Sequence, residues 1–302
     1  MLETNAMLRK NAIENKLFVT VDDVEYKNIQ KILKDMLVDF SSVCKSADIP
    51  YFACGGTALG AIREKGFIAW DDDADVCLPR KDYDRFFKLF LQKFGDKYNV
   101  QSLLHNDKYD LTFAKIRKKN TKLVEVFDTD PDTSGIFIDV YAISNTPDNA
   151  FLRFFHGMIS DFLFLCCSCV RMKNKKMIFK KYLNDKKAKR LVNFKIFLGY
   201  LLGFFTIQKW CKIADAWAGI CKNENSMYVT FPDGRKHYFG ELCKRDSFYP
   251  AKFMPFEDIK LSIMSKPEEY LKGLYGDYMT VPDKNMREHH SIIEIDFGEN
   301  ND

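Results

Sequence analysis

Apolar residues recur at three- and four-residue spacing from Ile29 through Ile32, Leu33, Met36, Leu37 and Phe40 to Val43. This predicts an amphipathic helix over 25–47, ended by Asp48-Ile49-Pro50. Tyr51-Phe52-Ala53-Cys54 reads as a short apolar strand running into Gly55-Gly56. A short helix is expected over 57–64, with Thr57 as its N-cap. A strand over 73–78, closed by Pro79, leads into a second amphipathic helix over 81–94, with Tyr83, Phe86, Phe87 and Phe90 on its apolar side. Further strands are expected over 110–117, 123–127 and 135–142. Helices and strands in this order make the first half an α/β or α+β domain.

The second half is patterned differently. Residues 151–172 are strongly apolar, interrupted by Arg153, His156 and Asp161, whereas 172–190 are dense in Lys and Arg with Asp185 as the only acid. Residues 194–207 are apolar again, with Lys195 inside. Neither apolar run reads as a clean transmembrane span, which needs about 20 residues. Two readings stand: buried helices of a helical subdomain whose lysines face water, or interfacial helices whose Lys and Arg touch anionic lipid. Phe231-Pro232-Asp233-Gly234 is a turn signal. The chain thus divides into a polar segment 1–24, a core 25–148, a helical apolar and basic insertion 149–225, and a C-terminal part 226–302 that completes the core.

At 302 residues and 46% hydrophobic, the chain can bury a real core. A net charge of +4 gives no general argument for nucleic acid, and the basic block at 173–190 lacks interleaved base-stacking aromatics, so no nucleic-acid partner is expected. Nine Cys, an odd number, with Cys44, Cys54, Cys77, Cys211 and Cys221 in apolar runs, read as free buried thiols of a reducing compartment. Residues 1–16 lack an apolar signal-peptide core, so a cytoplasmic location is expected, either free or at the inner face of a membrane.

The candidate chemistry lies in Asp71-Asp72-Asp73-Ala74-Asp75-Val76. Side chains alternate along a strand, so Asp73 and Asp75 share one face while Ala74 and Val76 turn to the core. Adjacent carboxylates on one face repel, and a hard divalent cation with oxygen ligands, Mg²⁺ or Mn²⁺, removes the conflict. The plain alternative is a solvated acidic turn. Gly55-Gly56-Thr57, between a strand and a helix, favours the metal reading, because backbone N–H groups at a helix start suit a phosphate. Asp139, alone inside the apolar strand 135–142, either pairs with a base or faces the same metal.

The run Gly55-Gly56-Thr57-Ala58-Leu59-Gly60-Ala61-Ile62-Arg63-Glu64-Lys65-Gly66-Phe67-Ile68-Ala69-Trp70-Asp71-Asp72-Asp73-Ala74-Asp75-Val76 resembles the signature of the LicD family, which includes bacterial phosphocholine transferases and is related to the fukutin proteins. Phe113-Ala114-Lys115-Ile116-Arg117 with Thr121, Phe137-Ile138-Asp139-Val140, Pro267 with Tyr270-Leu271, and Leu274-Tyr275-Gly276-Asp277-Tyr278-Met279 followed by Pro282, Arg287 and His290 look like later family segments. The residue before Trp70 is Ala69, where the family often has Pro.

The resemblance implies an α+β fold: a nucleotidyltransferase-like mixed sheet with flanking helices. It implies transfer of phosphocholine, or another polyol phosphate, from a CDP-linked donor to a hydroxyl of a cell-surface glycan such as lipopolysaccharide or teichoic acid, with CMP leaving. The glycan acceptor would be met free or carried on a lipid. Asp73, Asp75 and Asp139 would hold Mg²⁺ or Mn²⁺ and act catalytically. Gly55, Gly56, Thr57, Trp70 and Asp71 would border the substrate. Arg63, Lys115 and Arg117 are candidate phosphate partners, with ordinary surface cations as the alternative. Arg287 and His290 are candidates to close over the site, with capping or ion pairing as theirs. Two other functions stand beside this one: a true nucleotidyltransferase releasing pyrophosphate, and a non-catalytic membrane-associated scaffold.

Overall fold

The computed structural model describes residues 19–128, 134–182, 186–287 and 290–298. The polar stretch 1–16 and Asp185 lie outside the described residues.

The first helix, α1 (Asp23–Ser46), starts two residues before the expected boundary. Asp22 caps it by accepting the N–H groups of Val24 and Glu25, and the Glu25 carboxylate in turn accepts the Asp22 N–H. Its apolar stripe, with Ile29, Leu33, Met36, Leu37 and Phe40, is buried. Strand β1 (Phe52–Ala53) enters α2 (Gly55–Arg63), and β2 (Ala74–Pro79) enters α3 (Arg80–Phe94). Phe86, Phe87 and Phe90 of α3 are fully buried, each contributing about 1.5–3 kcal/mol of transfer free energy. Next come β3 (Tyr98–Gln101), β4 (Ala114–Lys118), β5 (Lys122–Glu125) and β6 (Phe137–Asn145). The N-cap of α2 is Cys54, not Thr57. Thr57 lies inside the helix, where its Oγ1 accepts the Asp75 N–H (2.8 Å) and ties the helix to β2.

Four helices follow: α4 (Ala150–Asn174), α5 (Lys176–Tyr182), α6 (Lys186–Leu201) and α7 (Ile207–Ala218). The chain then returns to strands through β7 (Tyr228–Thr230), α8 (His237–Gly240), β8 (Cys243–Lys244), α9 (Arg245–Phe248), β9 (Lys252–Phe256) and β10 (Ile259–Ile263). It closes with α10 (Pro267–Tyr275) and β11 (Ile292–Asp296).

The main sheet runs β3-β4-β6-β2-β1-β10-β9, with β7 attached to β6 and β8 to β7. β2 with β6 and β1 with β10 are parallel, while β4 with β6 and β2 with β1 are antiparallel. The fold is therefore α+β with a mixed sheet. A second, two-stranded sheet pairs β5 with β11. The short strands β3, β7 and β8 carry too few residues to print a period of two on the sequence.

The polar interruptions of α4 point inward. His156 Nδ1 lies 3.1 Å from Tyr238 Oη and its Nε2 3.1 Å from Trp217 O, while Asp161 accepts the Tyr238 N–H (3.1 Å). Arg153 donates to Pro147 O and Asp148 O and stacks on Tyr228. The outward face carries Phe151, Phe154, Phe155, Met158 and Phe162, all exposed. This inverts the usual amphipathic pattern. Among the described residues α4 alone is long and apolar enough to cross a bilayer, and a third of its most apolar window is buried in the protein. A second exposed aromatic group, Phe194, Phe197, Tyr200, Phe204 and Phe205, lies on α6 and the turn after it. All nine cysteines are free thiols. Cys166 and Cys167 are buried, whereas Cys221, expected to be buried, is half-buried.

Candidate active site

Sheet register builds the site. Lys115 of β4 stands opposite Asp139 of β6, and Asp139 opposite Asp75 of β2. Paired residues on neighbouring strands share a face, so three adjacent strands present Lys115, Asp139 and Asp75 in one row. Asp73, two residues before Asp75, adds to the same face. Asp73, Asp75 and Asp139 each offer a carboxylate oxygen, all within 4.8 Å of one another.

Burial is the chief cause that pushes all three carboxyls above the ordinary range, Asp73 to about 6, and the neighbouring acids add to it. Asp71 is raised well above it for the same reasons, and its Oδ2 is buried without a hydrogen-bond partner. Like charges held this closely in a poorly solvated site call for a cation. A donor set of oxygens alone fits Mg²⁺ or Mn²⁺.

The second sheet closes over this face. Ile292 of β11 pairs with Glu125 of β5, which brings the preceding His290 to the acids. His290 Nδ1 donates to Asp72 Oδ1 (2.8 Å) and its main-chain N–H to Asp72 Oδ2 (3.0 Å), leaving Nε2 3.6 Å from Asp73 Oδ2 and 3.7 Å from Glu125 Oε1. Burial lowers the imidazole pKa, but Asp73, Asp72 and Glu125 outweigh it and push it up to about 10, so the ring is cationic. Glu125 is held below the usual carboxylate range: burial opposes this, and Lys115, His290 and Arg117 overcome it.

Gly55 and Gly56 border the acids as expected. The Gly55 N–H donates to Tyr270 Oη (3.1 Å) and the Gly56 N–H to Asp75 Oδ2 (3.1 Å). Gly55 has φ +52°, and a Cβ there would overlap Asp75 Oδ2, so the turn requires glycine. A cavity of about 240 Å³ is lined by these two glycines, by Asp71, Asp72, Asp73, Asp75, Asp139 and His290, and on another side by Tyr270, Tyr275 and Glu241.

Several expected substrate contacts lie elsewhere. Arg117 is 1% exposed, and its guanidinium donates to Gln101 Oε1 (2.7 Å), Gly135 O (3.1 Å) and Asp128 Oδ1 (2.6 Å). It braces the β4–β5–β6 junction and does not line the cavity. Lys115 is buried between Glu125 Oε2 and Asp139 Oδ1, 3.0 Å from each, over the Phe137 ring. Its contacts are thus with the Glu125 and Asp139 carboxylates. Arg63 donates to Glu64 and to Tyr278 O. Trp70 carries the Arg287 guanidinium 3.9 Å from its ring centroid, and neither lines the cavity. Spacing along the chain marks a cation but not the acid it meets, so these contacts are not legible in the sequence. The sequence marks Asp72 only by its place in the acidic run and Tyr270 only as part of a family-like segment, and it does not mark Glu125, Arg235 or Glu241.

Residues 48–155 match the family model described as LicD/FKTN/FKRP, nucleotidyltransferase domain. The chain carries a LicD-family nucleotidyltransferase domain. It is also 26% identical over 283 residues, 88% of this chain and 95% of the relative, to the protein named lipopolysaccharide cholinephosphotransferase LicD of Haemophilus influenzae (strain ATCC 51907 / DSM 11121 / KW20 / Rd). The family match spans β1 through β6, which is the part that supplies all three clustered carboxylates.

Proposed function

We propose that the protein transfers phosphocholine, or a related alcohol phosphate, from a CDP-linked donor to a hydroxyl of a cell-surface glycan, releasing CMP. The observation that carries this is the row of Asp75 and Asp139 in register with Asp73 beside them, three carboxylates too close to remain ionised without a cation. The name of the Haemophilus relative supports choline as the transferred alcohol and lipopolysaccharide as the acceptor class.

Asp73, Asp75 and Asp139 would hold Mg²⁺ or Mn²⁺. The bound ion would supply neutralisation of the donor diphosphate and a lowered pKa for the acceptor hydroxyl. The chain's own groups set the geometry. Lys115, fixed by Glu125, pins Asp139 at the orientation the cluster needs. Asp72 grips His290 through both ring and main chain, so a cation stands beside Asp73. His290 Nδ1 is committed to Asp72, so a carboxylate, Asp139, is the candidate to take the acceptor's proton.

CMP release from CDP-choline, CDP-ribitol and CDP-glycerol with a crude glycan acceptor tests this. Magnesium-dependent CMP from one donor is the expected result. Pyrophosphate release from a nucleoside triphosphate, with no CMP from any donor, would instead make the protein a true nucleotidyltransferase. A non-catalytic scaffold would release neither, and it gives no reason to hold costly buried acids together.

The exposed aromatic faces of α4 and α6 support a position at the inner membrane surface, where a lipid-carried acceptor would be met. The lysines of α4 to α6 suit anionic head groups. Full-length protein should co-sediment with phosphatidylglycerol-containing vesicles in a salt-sensitive way, and Phe155→Glu with Phe197→Glu should release it. Protein that stays monodisperse without detergent and ignores anionic vesicles would end this reading.

A further inference from the structure

The cavity has a second wall that the metal site does not use. The face of α10 supplies Tyr270, Leu274 and Tyr275, the residue after β7 supplies Phe231, and β6 supplies Tyr141. Among these rings lies Glu241, only 4% exposed. Its Oε1 accepts the Lys236 N–H (3.0 Å), and a Cβ at Gly234 would overlap that oxygen, so the turn before it packs against the carboxylate. A buried carboxylate among aromatic rings is costly unless a cation faces it.

Resting on the transferase reading above, we infer that Glu241, Phe231, Tyr270 and Tyr275 form a subsite for the quaternary ammonium of the donor's alcohol. Aromatic faces attract an alkylated ammonium through their quadrupole, and a desolvated carboxylate adds a full charge. Tyr275 already carries the Arg235 guanidinium 5.6 Å from its ring centroid, so this ring serves as a cation platform within the protein itself. Phe231 and Leu274 offer no hydrogen bonds, which suits N-methyl groups and leaves polyol hydroxyls unpaired. Burial pushes the Glu241 carboxyl up to about 7, as for an acid whose neighbours compensate its charge incompletely.

The position fits a ligand that reaches both walls. Gly55 and Gly56 are adjacent, and their N–H groups hold Tyr270 Oη and Asp75 Oδ2 respectively, so the ring wall and the acid cluster are joined by one residue of backbone. A phosphoryl group at the acids would project its alcohol toward Glu241.

Steady-state CMP release from CDP-choline, and calorimetric titration with choline alone, test the assignment in the full chain. Glu241→Gln keeps the acceptor for Lys236 and removes the charge, while Tyr275→Leu removes a ring that Tyr275→Phe retains. We expect KM for CDP-choline to rise about tenfold or more in Glu241→Gln and Tyr275→Leu, with kcat little changed and Tyr275→Phe near wild type. Choline affinity should fall in parallel. Unchanged KM and choline affinity in both variants, or turnover of a polyol donor in preference to CDP-choline, would overturn the subsite while leaving the transferase reading intact. Choline binding that weakens in both variants, in a protein that releases no CMP from any donor, would uphold the subsite and end the transferase reading.

Discussion

Asp75→Asn should lower magnesium-dependent CMP release by about 10³-fold, while the protein folds normally and gains thermal stability in chelator. Asp75 is the one acid that touches every part of the arrangement. It stands opposite Asp139 in the parallel register, its N–H is held by Thr57, and its Oδ2 accepts the Gly56 N–H. Asparagine preserves the shape and can keep the Gly56 hydrogen bond, but it removes one of three charges that neutralise a cation. Loss of a fixed electrostatic contact in a dry site costs about 10²–10³ in rate, and here the metal goes with it. The stability gain has the opposite origin. Burial first, then the Asp73 and Asp139 charges, push the Asp75 carboxyl well above its usual range. The folded state therefore holds a proton that the unfolded chain has released, and folding loses stability as pH rises from about the ordinary carboxylate pKa toward neutrality. An amide has no such penalty. Melting in EDTA at neutral pH should show the variant above wild type, with the gap closing in acid. A variant that turns over normally would remove Asp75 from the metal site.

Arg117→Ala should destabilise the fold by about 3–5 kcal/mol, measured by urea unfolding, because it strips the counter-ion from Asp128 and leaves Glu125, Gln101 and the Gly135 carbonyl short of a donor in a buried place. Arg117→Lys should recover only part of this, since an ammonium cannot reproduce the planar fork. Normal stability combined with a selective loss of donor affinity would restore the phosphate role that the sequence pattern suggested and that the buried network argues against.

The difference between Arg117 and Asp75 shows where reading from sequence works. Alternation along 73–76 is a local property, so the shared face of Asp73 and Asp75 follows from the backbone geometry of a strand and needs no partner to be known. Helices α1 and α3 were legible for the same reason, since their apolar residues repeat every three to four positions over several turns. The order of such elements left α/β and α+β both open, and the mixed sheet with flanking helices was implied by the resemblance at 55–76.

What depended on contact between distant segments was not legible. Arg117 and Lys115 alternate like surface cations, and only the closure of β4 on β6 and β5 reveals the acids they neutralise. The polar interruptions of α4 look like breaks in an apolar run until Tyr238 and Trp217, about 60–80 residues later in the chain, are seen to receive them. Glu241 carries no local sign of belonging to the site, and Tyr270, although it lies in a family-like segment, reaches the site only through the packing of α10 against the Gly55 turn. Periodicity along the chain determined the elements and the acidic edge of the site. Which cations are buried, and what forms the cavity's other wall, was decided only by tertiary structure, since the energy of a buried charge depends on neighbours that the chain brings together from afar.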